Sequence, residues 1–383
     1  MPISRRDALK LAPLGVLAGA GWARGQDAPP APAFPGQVVR MREPQNLEYP
    51  FSELKTWVTP TEQFYVRSHF PVPKLDPATH TVTVEGAVER PLTLTLADLA
   101  KLGEVTTPLT LECAGNGRVF LVPQAKGLQW GLGAVGNAEW GGVPLSAVLA
   151  KAGVKKNAVE VILVGADQGV VADPASPGTI HFDRSISLEK ALRPEVLLAT
   201  RMNGEPLTAA HGAPLRAVVG GHYGVASVKW LAKIIVTATP HRGFWQTLEY
   251  SAFVRPAGGL PSLAPVTVMQ PKASIARPTL AEVVPVGKPY PVRGAAWAGD
   301  AKVGAVEFST DGGTTWRRAT LTGPDRPYCW RTWEIDWTPA SRGPVQLLAR
   351  ASDTRGETQP AGRDPDRRTY MINHLVPVEV LVR

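Results

Sequence analysis

Short runs in which apolar and polar side chains alternate recur along the whole chain, but their surroundings change near residue 256. Before that point, runs such as His80–Val84 are mixed with stretches of helical period such as Leu96–Lys101 and Ser146–Ala152. Alternation places successive side chains on opposite faces of a strand, whereas apolar residues three and four apart line one face of a helix. Many short strands without regular strand–helix–strand repeats predict an α+β domain over 46–256. The composition then turns to Pro, Gly and small residues, which predicts a linker at 257–270. Beyond it the helical stretches stop. Ala305–Ser309, Trp330–Trp337 and Val345–Ala351 alternate, with turns such as Asp311-Gly312-Gly313 between them. This pattern predicts an immunoglobulin-like β-sandwich over 271–383. Trp297, Trp316, Trp330, Trp333 and Trp337 belong in its core or at an interface. Trp is enriched at interface cores, and so many in one small sandwich predict that it packs on a second copy, as a homodimer.

The N-terminus departs from both patterns. Arg5-Arg6 precede an apolar stretch from Leu11 to Ala20 and small residues around Ala23. A basic start, a short apolar segment and a small-residue zone make 1–26 a signal peptide, and the paired arginines assign it to the twin-arginine route. The expected location is therefore the periplasm or cell envelope. Residues 27–45, opening on the Pro/Ala run Ala28–Pro35, read as a linker. No later stretch is apolar for the roughly 18 residues that a membrane span requires.

Composition narrows the classes further. Hydrophobic residues at 44% and charged residues at 19% describe a globular chain. The net charge of +8 comes from scattered Lys and Arg without basic blocks, which argues against nucleic acid and for anionic ligands or an acidic partner. Two cysteines, Cys113 and Cys329, lie in settings too different for an obvious disulfide. Neither haem-attachment nor zinc spacing is present.

Chemistry concentrates in three places. Leu111-Glu112-Cys113-Ala114-Gly115-Asn116-Gly117-Arg118 runs a strand into a sharp turn holding one thiol, two glycines and an arginine. A thiolate is a soft ligand for a transition metal, and a nearby guanidinium favours it. In Phe64-Tyr65-Val66-Arg67-Ser68-His69, Arg67 and His69 stand two apart and share one face of an extended segment. The third, His211-Gly212-Ala213-Pro214-Leu215-Arg216 with Gly220 to Trp230, is glycine-rich and cationic, suited to a phosphate and a heterocycle. Gly131-Leu132-Gly133-Ala134-Val135-Gly136 matches a dinucleotide fingerprint in letters only, since no buried strand precedes it and no helix follows.

At these residues the chain resembles the sulfite oxidase family of molybdopterin enzymes, from Phe64 to the C-terminus. The resemblance implies molybdenum with one molybdopterin, and Cys113 as the metal's protein ligand. It implies cofactor contacts from Arg67, Ser68, His69, Asp167, His211, Arg216, Ser227, Val228 and Lys229. Tyr250, after Phe244-Trp245-Gln246, is similar to the family's active-site tyrosine, and Arg67, Arg118 and Arg368 would hold the oxyanion. Tyr250, Arg67 and Arg118 are thus the expected catalytic set. Three departures touch the substrate: Ser68 where asparagine is usual, Gly117 where a second arginine is common, and no proline before Gly220. The implied reaction is oxidation of sulfite to sulfate, with electrons leaving to an external acceptor such as a c-type cytochrome. The same centre acting on sulfane sulfur, an S-oxide or nitrate is the alternative, and a cofactor-free exported binding protein is the alternative of another class. For the export signal, replacing both Arg5 and Arg6 by Lys leaves folded precursor in the cytoplasm. Normal recovery of that double-lysine protein from the periplasmic fraction would remove the twin-arginine reading.

Overall fold

The run that begins at His80 forms the strand Thr81–Gly86 in a computed structural model, which describes residues 36–383. The expected signal peptide and the start of the expected linker lie outside those residues. Thr81–Gly86 sits in a five-stranded sheet, in the order Leu92–Thr95, Thr81–Gly86, Leu231–Thr237, Glu160–Gly169, Ile180–Ser187. Only the pair Thr81–Gly86 and Leu231–Thr237 is parallel. A second sheet orders Glu205–Pro206, Val196–Met202, Val135–Pro144 and Val105–Glu112, all antiparallel, with Arg216–Val219 also paired to Val196–Met202. Short helices join them. Leu96–Ala100 starts at Thr95, whose hydroxyl accepts the Asp98 N–H while the Asp98 carboxylate accepts the Thr95 N–H. That reciprocal cap satisfies two otherwise orphaned donors. Leu145–Ala152 buries Leu145, Val148, Leu149 and Ala152 on one face and stops at Gly153, whose φ of 72° is left-handed.

The C-terminal region is two facing sheets. One orders Lys272–Arg277, Tyr290–Trp297, Arg331–Trp337 and Thr320–Thr322; the other orders Val283–Val284, Val378–Val382, Gly343–Asp353, Val303–Ser309 and Arg317–Arg318. Inward-facing Val292, Val306, Phe308, Trp333, Leu347 and Ala351 fill the space between them. The predicted turn is held by Asp311, whose carboxylate accepts the N–H groups of Thr314 and Thr315 at 3.0 and 2.9 Å.

The linkers are not bare. Val38–Met41 pairs antiparallel with Asn46–Glu48, and Ser251–Val254 pairs with Ser262–Pro265. Each expected linker therefore carries half of a hairpin, because a short alternating run among prolines still finds a partner strand. The glycines of the false fingerprint have a different task. Gly131 and Gly133 donate their N–H groups to the Glu48 carboxylate at 3.0 and 2.8 Å, and a Cβ at Gly133 would collide with the Tyr49 carbonyl.

Within the chain, the tryptophan surplus is taken up without a second copy. Trp333 and Trp337 are in the sandwich core, but Trp297 and Trp330 join the core of the first domain. Trp330 donates to the Trp57 carbonyl at 2.8 Å and Trp57 to the Trp330 carbonyl at 3.1 Å. Trp316 lies under the Arg350 guanidinium, 4.1 Å from its ring centroid. Counting tryptophans is thus no argument for a dimer: the seam between the two domains uses them.

That seam also holds an ion pair. Lys272 donates to Glu112 at 2.9 Å, with the side chains 3% and 2% exposed. Glu112 also accepts from Trp297 Nε1 at 2.8 Å and Asn116 Nδ2 at 3.0 Å. Removing one member of such a pair strands a buried charge, which costs about 3–5 kcal/mol, whereas neutralising both does not. Lys272→Met should lose about that much in urea unfolding. The double variant Glu112→Gln/Lys272→Met should recover part of the loss; a double variant weaker than either single one would contradict this account.

Candidate active site

Cys113 follows directly on the strand Val105–Glu112, and its position is set by backbone hydrogen bonds. Its N–H donates to the Ala134 carbonyl at 2.8 Å, and its carbonyl accepts from Asn116 N–H at 2.9 Å. The Asn116 side chain closes the turn, accepting from Ala134 N–H at 3.1 Å and donating to Glu112. Gly117, at φ 95°, supplies the left-handed step that a side chain would resist. The thiol is 7% exposed, and burial raises its pKa while Arg67 and Arg118 oppose the rise. Both Cys113 and Cys329 are unbonded thiols, and the Cys329 Sγ faces the Pro108 carbonyl at 3.0 Å.

A partly open recess brings Cys113 together with Arg67, Ser68, His69, Asp167, His211, Arg216, Ser227, Lys229 and Tyr250. Asn46 organises one wall. Its Oδ1 accepts from Ser68 N–H at 3.0 Å and Arg67 Nη1 at 3.2 Å, and its Nδ2 donates to the Ser68 carbonyl at 3.1 Å. Arg67 and His69 thereby converge on one phenol. Tyr250 oxygen is 2.6 Å from His69 Nε2 and 3.5 Å from Arg67 Nη2. His69 stacks on Phe182 with centroids 4.4 Å apart. Burial, aided by Arg67 and Lys229, pushes the His69 pKa well down, and burial pushes Tyr250 up. Both rings are therefore neutral near pH 7.

Two basic side chains, Lys229 and Arg216, line the rest of the recess with Ser227 and His211. Lys229 donates to Ser68 Oγ at 2.8 Å and the Ala210 carbonyl at 2.9 Å, above the Trp230 ring at 4.1 Å. Arg216 donates to the carbonyls of His211 and Ser227 at 2.9 and 3.1 Å. Ser227 Oγ accepts from Val219 N–H at 3.0 Å, and His211 Nε2 is 3.1 Å from the Thr61 carbonyl. Burial lowers the pKa of Arg216 to about 10 and of His211 to about 3, and Lys229 falls well below its usual value. Asp167 is raised by burial, with Lys229 opposing, and its Oδ1 has no hydrogen-bond partner among the described residues. Burying charge is costly unless it is paired. Arg67, Arg216 and Lys229 face one carboxylate here, so the recess suits an anion with a polar group for Asp167.

Three expected site residues are placed elsewhere. Val228 is fully buried in the core and does not line the recess. Arg118 donates to Leu128 and Thr369 carbonyls at 2.8 and 3.2 Å and to Thr369 Oγ1 at 2.8 Å. Arg368 Nη1 donates to Leu248, Ser251 carbonyl and Ser251 Oγ at 3.0, 3.2 and 2.8 Å. The two arginines, expected at the oxyanion, instead satisfy backbone carbonyls outside the recess.

Sequence reasoning missed several neighbours. Tyr65 and Phe182 line the recess, and Arg184, 1% exposed, donates to the Trp245 and Val266 carbonyls behind Tyr250. A cation inside the alternating run Ile180–Ser187 was the one available signal for Arg184.

Comparison with known proteins adds the family. Residues 69–245 match the oxidoreductase molybdopterin binding domain, and residues 264–379 match the Mo-co oxidoreductase dimerisation domain. The chain is 34% identical to sulfite oxidase of Gallus gallus over 86% of this chain and 74% of that protein. It is 36% identical to mitochondrial sulfite oxidase of Rattus norvegicus over 85% of this chain, spanning 62% of the rat protein's length. Among solved structures, the sulfane dehydrogenase SoxCD of Paracoccus pantotrophus superposes with a TM-score of 0.76 at 29% identity, covering 88% of this chain and 84% of that one. Thiol turn, cationic recess and both matched domains make this chain a member of the sulfite oxidase family of molybdopterin-dependent oxidoreductases.

Proposed function

We propose that the protein oxidises sulfite to sulfate at a molybdenum–molybdopterin centre and passes the electrons to an external acceptor, a c-type cytochrome. The observation that carries this is the meeting of one buried thiol with the basic side chains Arg67, Arg216 and Lys229 in one recess. The donor set fits the cofactor. Cys113 would ligate the metal, Arg216, Lys229 and Ser227 would hold the anionic end, and Asp167 Oδ1 would take an N–H of the heterocycle. The bound centre supplies a two-electron oxo-transfer couple, which no side chain provides.

The chain's own groups bind and orient. Sulfite is a dianion when fully ionised, and the Arg67 guanidinium matches oxyanion geometry with paired donors. The two rings beside Arg67 are neutral, so neither cancels its field. The Tyr250 hydroxyl, held neutral by burial, can donate to a substrate oxygen while His69 Nε2 takes the other role of the 2.6 Å contact. Phe182, packed on His69, keeps water from that side.

Export through the twin-arginine route suits a protein that folds around its cofactor before leaving the cytoplasm, and the second domain supports a homodimer. A second reading, oxidation of sulfane sulfur, is favoured by the likeness to SoxCD. Steady-state assays with ferricyanide and then cytochrome c separate the two: turnover with a sulfane substrate and none with sulfite would replace the first reading.

Two variants test the residue roles. Cys113→Ser should keep the fold but lose at least ~100-fold in turnover and retain less molybdenum, because a hard oxygen replaces a soft thiolate. Wild-type rate and metal content would make Cys113 structural. Arg67→Gln should raise the KM for sulfite by ~10–100-fold, the loss of one charge-assisted contact. Arg118→Gln should instead lower the melting temperature with KM nearly unchanged, and the reverse pattern would put Arg118 at the anion.

A further inference from the structure

Arg184 lies in the strand Ile180–Ser187 and is 1% exposed, with no carboxylate paired to it among the described residues. Burying a cation in this way costs stability that an apolar side chain would not lose. Burial lowers its pKa to about 10, which still leaves it charged near pH 7. Its donors go to backbone. Nη1 donates to the Trp245 carbonyl and, at 3.5 Å, to that of Tyr250, and Nη2 donates to the Val266 carbonyl at 2.7 Å. Val266 N–H in turn donates to the Tyr250 carbonyl at 2.9 Å.

Trp245 is the second residue of a six-residue π-helical turn, Phe244–Glu249, and Tyr250 follows its last. The one guanidinium therefore spans the turn from its start to its end. Turns of this kind are rare and recur at functional sites, where the surrounding structure must hold them. The same strand also meets the turn through side chains. Trp245 Nε1 donates to the His181 carbonyl at 2.9 Å, and Ser185 N–H donates to Gln246 Oε1 at 3.3 Å. Of these contacts, only that of Arg184 reaches the backbone of Tyr250. Two residues earlier and on the same strand face, Phe182 stacks on His69 with centroids 4.4 Å apart. One face thus fixes both partners of the 2.6 Å contact between His69 Nε2 and the Tyr250 hydroxyl.

We propose that Arg184 is a positioning residue: by holding the carbonyls of Trp245, Tyr250 and Val266 it fixes the direction of the Tyr250 hydroxyl in the recess without touching the substrate. The effect on turnover rests on the sulfite reading above; the grip on the turn does not. A charged donor suits this task, because charge-assisted hydrogen bonds are roughly twice as strong as neutral ones and a planar guanidinium sets their directions. Lysine in its place would keep the charge but offer a single nitrogen for three carbonyls.

The test combines steady-state kinetics with hydrogen exchange by mass spectrometry on the full cofactor-loaded protein. Arg184→Met should speed exchange in 244–250 by ~10-fold or more while the strands of the sandwich stay protected. Its kcat/KM for sulfite should fall ~10–100-fold, as expected for a displaced catalytic group. Because Arg184 acts through Tyr250, the double variant Arg184→Met/Tyr250→Phe should lose no more than the larger of the two single losses. Arg184→Lys should give the same pattern at smaller size, and it carries the test if the methionine variant does not accumulate folded. Losses that multiply in the double variant would overturn the proposal, since Arg184 would then act independently of the phenol. Unchanged exchange in 244–250, or exchange that rises throughout the molecule, would overturn it too. A wild type inert toward sulfite would remove the sulfite reading alone, and local exchange in the variants would still decide whether Arg184 holds the turn.

Discussion

The site depends on the buried contact between Glu112 and Lys272. Glu112 is the residue before the thiol, and its carboxylate takes Lys272 and Trp297 from the sandwich and Asn116 from the turn itself. Lys272 returns a second bond to the Asn116 carbonyl at 3.0 Å. The turn that aims Cys113 is therefore not a local structure, because three of these contacts come from the second domain. A pair so enclosed is poor evidence of net stability, since desolvation offsets much of the attraction. What it gives is direction: a rotated turn leaves a charge unpaired in a place water does not reach. Asn116 transmits the constraint through its second bond, to Ala134, on the strand side of the recess.

The opposite wall follows the contrary rule. Arg67, Arg216 and Lys229 are gathered with too little negative charge to balance them, and burial lowers the pKa of the lysine and of Arg216. Such a cluster works against folding until an anion arrives. Backbone carbonyls moderate it, those of Ala210 for Lys229 and of His211 and Ser227 for Arg216. The carbonyl dipoles fix the cations in place without neutralising them. A ligand with phosphate charge completes the balance, and ligand binding to the folded state alone raises stability. Cofactor loading and folding are thus linked.

How much of this was legible depended on whether a residue's partner was near in sequence or chemically obvious. The Cys113 turn was readable because its glycines and asparagine are adjacent to it. Arg67 and His69 were readable because extended backbone places alternate residues on one face. The sandwich showed in its alternation, and Asp311-Gly312-Gly313 in its turn chemistry. The false fingerprint was separable by context, but its real use, wrapping Glu48, was not, since that carboxylate lies over eighty residues away. Asn46 opens the stretch read as the first domain but carries no signal of its own, and only the fold shows it bracing Ser68. Arg118 and Arg368 were assigned through the family resemblance. A guanidinium binds a carbonyl as readily as an oxyanion, and the sequence does not distinguish the two.

The tryptophans make the same point about interfaces. A surplus of large apolar residues does call for a surface to cover them, but it does not say which one. Here Trp297 and Trp330 are at 0% exposure within one chain, against the domain that holds the thiol. Covering them needs the two domains docked, and so does the pairing of Glu112. Burial and electrostatics thus converge on one seam, next to the turn that carries Cys113. A chain cut between the domains would expose Trp297 and Trp330, leave Glu112 without its lysine and release the segment around Arg368. The sandwich is therefore part of the active-site architecture as well as a surface for assembly.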